Sequence, residues 1–145
     1  MGKEKELTNR LVSKYETSDP FLLCDYLDIH VHFVPLGNTR GVYRYIRRTK
    51  IIAINSDLDD CEYPTVCAHE LGHALMHTGN AIYMNALMPL SRPRRQENEA
   101  NRFAANLLIG DGQISELIQY GYNIQQMASE IGVSQELMEL RMTDY

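Results

Sequence analysis

Apolar residues recur along this chain with two periods, and the switches between them divide it into elements. Leu7, Leu11 and Tyr15 stand four apart, which predicts an amphipathic helix over residues 4–16. Thr17-Ser18-Asp19-Pro20 interrupts that pattern and opens a shorter helix over 20–27. From Asp28 to Leu36 the period drops to two, with Ile29, Val31 and Phe33 alternating with polar neighbours, as in a strand. Leu36 to Gly41 reads as a loop. Val42–Ile46 and Lys50–Asn55 are two further strands, joined at Arg47-Arg48-Thr49. Three short strands in succession predict a small antiparallel sheet. Helical spacing returns at 64–78, with proline in the first turn, and again at 95–109, stopped by Gly110-Asp111-Gly112. Weaker helical patterns follow at 113–120, 124–131 and 134–142. Between the two strong helices, Gly79 to Arg94 is a long connection with two prolines, a length often found in functional or mobile loops.

That order, helices then sheet then helices, predicts an α+β fold with the sheet covered on one side. No linker divides the 145 residues, so a single domain is expected. It comprises a helical N-terminus over 1–27, a sheet over 28–56, two central helices and C-terminal helices over 113–142. A chain of this size buries roughly 70% of its unfolded surface, enough for a core without staples.

Charge and composition narrow the function classes. Fourteen basic against nineteen acidic residues leave a net charge of −5, which disfavours a general nucleic-acid or membrane-surface binder. The longest aliphatic run, Ile51-Ile52-Ala53-Ile54, falls far short of the ~20 residues that span a bilayer. The first residues are charged and lack the apolar core of a signal peptide. Cys24, Cys61 and Cys67 are odd in number and have no framework spacing. A reducing, cytoplasmic setting is expected.

The candidate chemistry lies in His69-Glu70-Leu71-Gly72-His73. Histidines four apart on a helix differ by ~40° in rotation and ~6 Å in height, so both imidazoles reach one ion. Glu70 sits beside the pair, where it can take a proton from a water activated by the ion. Projected at 100° per residue, Cys67, Ala68, Leu71, Ala74 and Leu75 form the packing side of this helix. His69, His73 and His77 share another face, with Glu70 at its edge. A lone histidine is more often a hydrogen-bonded core residue than a ligand, but three on one face beside a carboxylate read as a metal site. His77 is ~12 Å along the axis from His69 and cannot share an ion with it, which makes it a supporting or cleft residue.

A catalytic zinc commonly takes three protein ligands. Glu97 and Glu99 are the available carboxylates on the 95–109 helix. Projection puts Glu97 and Asn101 at the edge of the buried face formed by Ala100, Phe103, Ala104, Leu107 and Leu108. Glu99 falls with Arg102 and Asn106 on a side expected to be solvated. Glu97 is therefore the preferred third ligand, Glu99 the alternative, and Asn101 a candidate acceptor for the outer N–H of a ligand histidine.

The stretch His69-Glu70-Leu71-Gly72-His73-Ala74-Leu75-Met76-His77, followed by Glu97, Ala100-Asn101, Phe103-Ala104-Ala105 and Leu107-Leu108, resembles the ImmA/IrrE family of metallopeptidases. The likeness covers about residues 28–110, and the two motifs together are more specific than either alone. The resemblance implies a zincin-like core and a gluzincin-like Zn²⁺ site with His69, His73 and Glu97 as ligands and Glu70 as base. It also implies an endopeptidase that regulates a phage or mobile element by cleaving a helix-turn-helix repressor, its protein partner. One departure is Gly110, where members commonly carry proline after the Leu-Leu-x run.

Competing readings use the same residues. The metal could hold the fold of a non-catalytic module that acts by binding a transcription factor, although such a site has no need of Glu70. Residues 124–142 suggest a helix-turn-helix, but Glu136, Glu139 and Asp144 against Arg141 suit phosphate contact poorly, so a packing hairpin is expected. Arg92, Arg94 and Arg95 read as a solvated cluster or a dock for an acidic substrate segment. An oxyanion partner is expected from His77, Tyr83 or another tyrosine. The strand Ile51–Asn55 offers itself as an edge to which a substrate could add.

Overall fold

The structure, a computed structural model, describes residues 2–77 and 92–145. Helix α1 (Lys3–Tyr15) buries Leu11 and ends on a left-handed Glu16. Helix α2 (Pro20–Tyr26) starts where Asp19 accepts a hydrogen bond from the Phe21 N–H, and its first residue is the proline, which has no N–H to orphan. The strands β1 (Ile29–Val34), β2 (Gly41–Ile46) and β3 (Thr49–Asn55) form one three-stranded sheet in the order β1-β3-β2.

The expected α+β arrangement is observed, but the sheet is mixed rather than antiparallel. β2 and β3 form an antiparallel hairpin, whereas β1 lies parallel to β3, with Ile29 opposite Lys50 and Phe33 opposite Ile54. Strand periodicity reports which face a residue takes and says nothing of strand direction, so the sequence pattern could not separate the two cases. The connection from β1 passes β3 and lets the chain enter β2 on the far side. Consequently β3 is the central strand and has no free edge, and Ile51–Asn55 cannot accept an added strand. The edge strands are β1 and β2.

The hairpin turn places Arg47 and Arg48 both at positive φ, 51° and 63°. That conformation matches the twist of a two-residue hairpin but is uncommon outside glycine and asparagine. At the other end of β3, buried Asn55 organises the loop leading into β2. Its Nδ2 donates to the carbonyls of Gly37 (2.9 Å) and Thr39 (3.0 Å), and its Oδ1 accepts from the Asp57 N–H (3.0 Å).

Helix α3 (Tyr63–Met76) follows a short 3-10 turn over Asp60–Glu62 and carries Pro64 in its first turn. Helix α4 (Arg94–Leu108) packs along it. Gly72 permits the close approach, because a Cβ there would stand 3.0 Å from the Phe103 ring. Ile52, Ile54 and Tyr43 from the sheet join Cys67, Ala68 and Leu71 from α3 and Phe103 and Ala104 from α4 in the main core. Helices α5 (Asp111–Gln119), α6 (Ile124–Ile131) and α7 (Gln135–Thr143) enclose a second, smaller core around Ile114, Met127 and Met138. α6 and α7 make the packing hairpin expected, and α7 also lies against α4. Among the described residues no helix is long and apolar enough to cross a membrane. Residues 78–91 of the connection between α3 and α4, including Tyr83, lie outside the described residues.

Candidate metal centre

Helical spacing on α3 and the approach of α4 bring four side chains to one point. The Nε2 atoms of His69 and His73 are 3.2 Å apart. Glu97 reaches across from α4, with Oε2 3.0 Å from His69 Nε2 and Oε1 2.9 Å from His73 Nε2. Glu70 Oε2 stands 3.9 Å from His69 Nε2. His69, Glu70 and His73 form a cluster whose donor atoms lie close enough to hold one metal ion. Ligands at ~2.1 Å in tetrahedral array lie about 3.4 Å from one another, so the spacing of the two imidazoles and Glu97 suits one ion between them. Two imidazoles and a carboxylate are also a donor set that zinc takes.

Most of the histidine face is covered, and only His69 reaches the cleft. His73 is 1% exposed and His77 8%, because α4 lies over them. Glu70 is 6% exposed and is met from the other side by β2. A Cβ on Gly41 would come 3.2 Å from the Glu70 Cγ and 2.6 Å from Val66 Cγ1, so glycine is what lets the edge strand lie against Glu70. A cleft of about 990 Å³ opens here, lined by Gly41, Val42 and Arg44 of β2 and by His69, Glu70, Arg92, Glu97 and Asn101.

Electrostatics separate the two carboxylates. Burial pushes the Glu70 carboxyl up to about 7, against the opposing pull of His69, Arg92 and Arg44. Glu97, hydrogen-bonded by His69 and only partly buried, is held well below the usual carboxylate range. Burial alone would lower the His69 pKa, but its hydrogen bond to Glu97 and the charge of Glu70 raise it overall. Asn101, one turn beyond Glu97, lines the same cleft and also acts to raise the His69 pKa. For His73, burial and the Arg92 charge act together and lower the pKa.

Several residues stand elsewhere than sequence reasoning put them. Glu99 is not on a solvated face: its Oε1 lies 3.1 Å from His77 Nε2, and it forms an ion pair with Lys3 of α1. Arg102 and Asn106 hydrogen-bond Asp144 beyond the end of α7. Projection treated α4 as having one packing side, whereas α1, α3 and α7 all pack on it. His77 bonds His73 and Glu99 through its two nitrogens, which takes it away from the cleft as an oxyanion partner. Arg92 is a cleft residue rather than part of a solvated cluster, and its Nη2 is buried without a hydrogen-bond partner among the described residues. Buried Tyr43 on β2 also has an unpartnered hydroxyl among the described residues. Its alternation within β2 marks Tyr43 as inward-facing, but nothing in the sequence links it to Arg92, whose charge acts on it.

Residues 24–143 match the family described as the IrrE N-terminal-like domain, a peptidase family. The chain belongs to this peptidase family. Its relatives include a protein of Bacillus phage phi105 named "Uncharacterized immunity region protein 2", 37% identical over 141 residues, which cover 94% of this chain and 87% of the relative. Metallopeptidase ImmA of Bacillus subtilis (strain 168) is 23% identical over 143 residues, 96% of this chain and 83% of that protein. The family match takes in the sheet, the histidine helix and α4 and stops short of α1, so Lys3 lies outside it.

Proposed function

We propose that this chain is a zinc-dependent endopeptidase that cleaves a helix-turn-helix repressor of a phage or mobile element. The observation that carries this reading is the meeting of His69, His73 and Glu97 within 2.9–3.2 Å, beside buried Glu70, in an open cleft. His69, His73 and Glu97 are the ligands in this reading. The immunity-region relative and the ImmA relative support the regulatory setting. The whole chain acts as one catalytic domain, in the cytoplasm where such a repressor works.

A zinc ion bound there supplies Lewis acidity and lowers the pKa of an attacking water. The remaining roles fall to side chains. An extended substrate segment adds to the free edge of β2, which runs along the cleft, so main-chain hydrogen bonds hold the scissile peptide over the histidines. Ionised Glu70 accepts the proton of the attacking water and passes it to the leaving amine. Arg92, with a buried N–H group that has no partner among the described residues, stabilises the negative charge that develops on the carbonyl oxygen.

The test is to mix the zinc-loaded chain with the repressor encoded beside its gene and to follow cleavage on gels and by mass spectrometry. Cleavage is expected, and it should disappear in Glu70→Gln with zinc retained. A stable complex without cleavage would favour the non-catalytic binding module. Cleavage by Glu70→Gln at the wild-type rate would overturn the assignment of the base.

A further inference from the structure

The two nitrogens of His73 face in different directions. Nε2 points to His69 and Glu97, while Nδ1 lies 2.9 Å from Nδ1 of His77. His77 continues through its Nε2 to Glu99 Oε1 at 3.1 Å, and Glu99 is paired with Lys3. This run of contacts leads from α3 through α4 to α1, and most of it is buried: His77 is 8% exposed and the Glu99 side chain 14%.

Counting protons fixes the direction of every bond in the run. Two neutral imidazoles carry one N–H each. Glu99, paired with an ammonium, is a carboxylate and only accepts, so the His77 proton sits on Nε2. His77 Nδ1 is then an acceptor, and the proton between the two Nδ1 atoms belongs to His73. The Nε2 of His73 is left with a lone pair, facing Glu97 Oε1 at 2.9 Å with no proton of its own to place between them. A cation relieves that contact.

We propose that Glu99, acting through His77, is a positioning residue for the metal centre: the pair holds His73 in the tautomer whose Nε2 lone pair faces the ion. This rests on the metal-site reading above and extends it to a carboxylate that touches no ligand atom directly. Without Glu99, the His73 proton is free to move to Nε2, where Glu97 accepts it and an incoming ion must displace it. Outer partners of ligand histidines typically change metal affinity by about 10–100-fold. Lys3 holds Glu99 in place, so α1, outside the family match, takes part in building the site.

The experiment uses the full chain and two readouts: the His73 tautomer in metal-free protein, from long-range ¹H–¹⁵N spectra, and zinc affinity, from chelator competition. Wild type should show His73 protonated on Nδ1. Glu99→Ala and, independently, His77→Phe should shift the His73 proton toward Nε2 and weaken zinc binding by about 10–100-fold with unchanged circular dichroism. Glu99→Gln keeps a carbonyl acceptor and should preserve the tautomer and most of the affinity. An unmoved tautomer and affinity in whichever of Glu99→Ala and His77→Phe folds would overturn the proposal, as would a Glu99→Gln chain as impaired as Glu99→Ala. Neither readout uses cleavage, so a chain that never cut a repressor would leave this result standing. Normal cleavage with an unmoved tautomer would remove the positioning role and spare the peptidase reading.

Discussion

The α3–α4 pair and the C-terminal helices α5–α7 follow opposite rules. In the C-terminal part, local chemistry and packing agree. Asn123 caps α6 through the Gln126 N–H, with Gln126 reaching back to the Asn123 N–H. Gly132 ends that helix at φ 87°, and Ser134 caps α7 through the Leu137 N–H. Its core is apolar around Ile109, Ile114, Leu117, Met127, Ala128 and Met138, with one buried charge, Arg141, which bonds the Ile109 carbonyl and pairs with Asp111. The central pair lacks these supports. α3 and α4 have no side-chain N-cap, and their interface buries His73, His77 and Glu70. Ionisable groups in such a place oppose folding unless something satisfies them. The difference separates a region whose local signals and packing agree from one that buries ionisable groups inside the main core.

The sharpest way to test the contrast is to remove one carboxylate from the central pair. Glu70→Gln should lower cleavage by about 10²–10⁴-fold, the usual worth of a positioned base, while zinc per chain by elemental analysis stays at the wild-type level. Glu97→Ala should lose both zinc and activity under the same dialysis. Retention of full zinc by Glu97→Ala would remove α4 from the metal centre.

Metal removal probes the same region without mutation. An ion that binds only the folded chain adds about 2.7 kcal/mol at a hundredfold excess over Kd, so chelation should lower the melting temperature clearly. An unchanged melting curve after verified removal would mean that the central pair is stable by itself and the contrast is misplaced.

Burial of Glu70 gives the metal-free chain a distinct pH dependence. Its folded-state pKa, about 7, is raised above the ordinary 4.5, so the folded state holds the proton more tightly than the unfolded state does. The associated stability is present in full below pH 4.5 and is lost as pH rises through about 7. Glu70→Gln should therefore stabilise the metal-free chain at pH 8 by up to about 3 kcal/mol, the free-energy equivalent of that shift. The gain should vanish near pH 4, as denaturant titrations at the two pH values would show. An equal gain at both would point to altered packing rather than to the charge.

The smallest effect belongs to the other region. Asn123→Ala removes a cap and should cost about 1 kcal/mol in urea unfolding, with zinc affinity and cleavage unchanged. A loss of zinc affinity in that variant would show that the two regions are coupled, against the separation drawn above.

Much of this protein was legible in its sequence. The periodicity of Leu7, Leu11 and Tyr15, the alternation at Ile29, Val31 and Phe33, and the prolines and glycines at helix ends are local signals, and they located the seven α-helices and three strands of the described residues to within a few residues. The four-residue spacing of His69 and His73 is equally local, since one helical turn fixes how two side chains on it relate. Glu97 was reachable because its place at the edge of an apolar face implied a packed neighbour. Direction and enclosure are not local quantities. Only the assembled chain decided that β1 runs parallel to β3, and so that β2 carries the free edge beside Glu70. Only the packing of α1, α3 and α7 around α4 turned Glu99 from a solvated residue into the partner of His77 and Lys3. A projection of one helix shows which residues share a face, but the number of faces that are covered depends on how many neighbours arrive, and those neighbours come from distant parts of the chain.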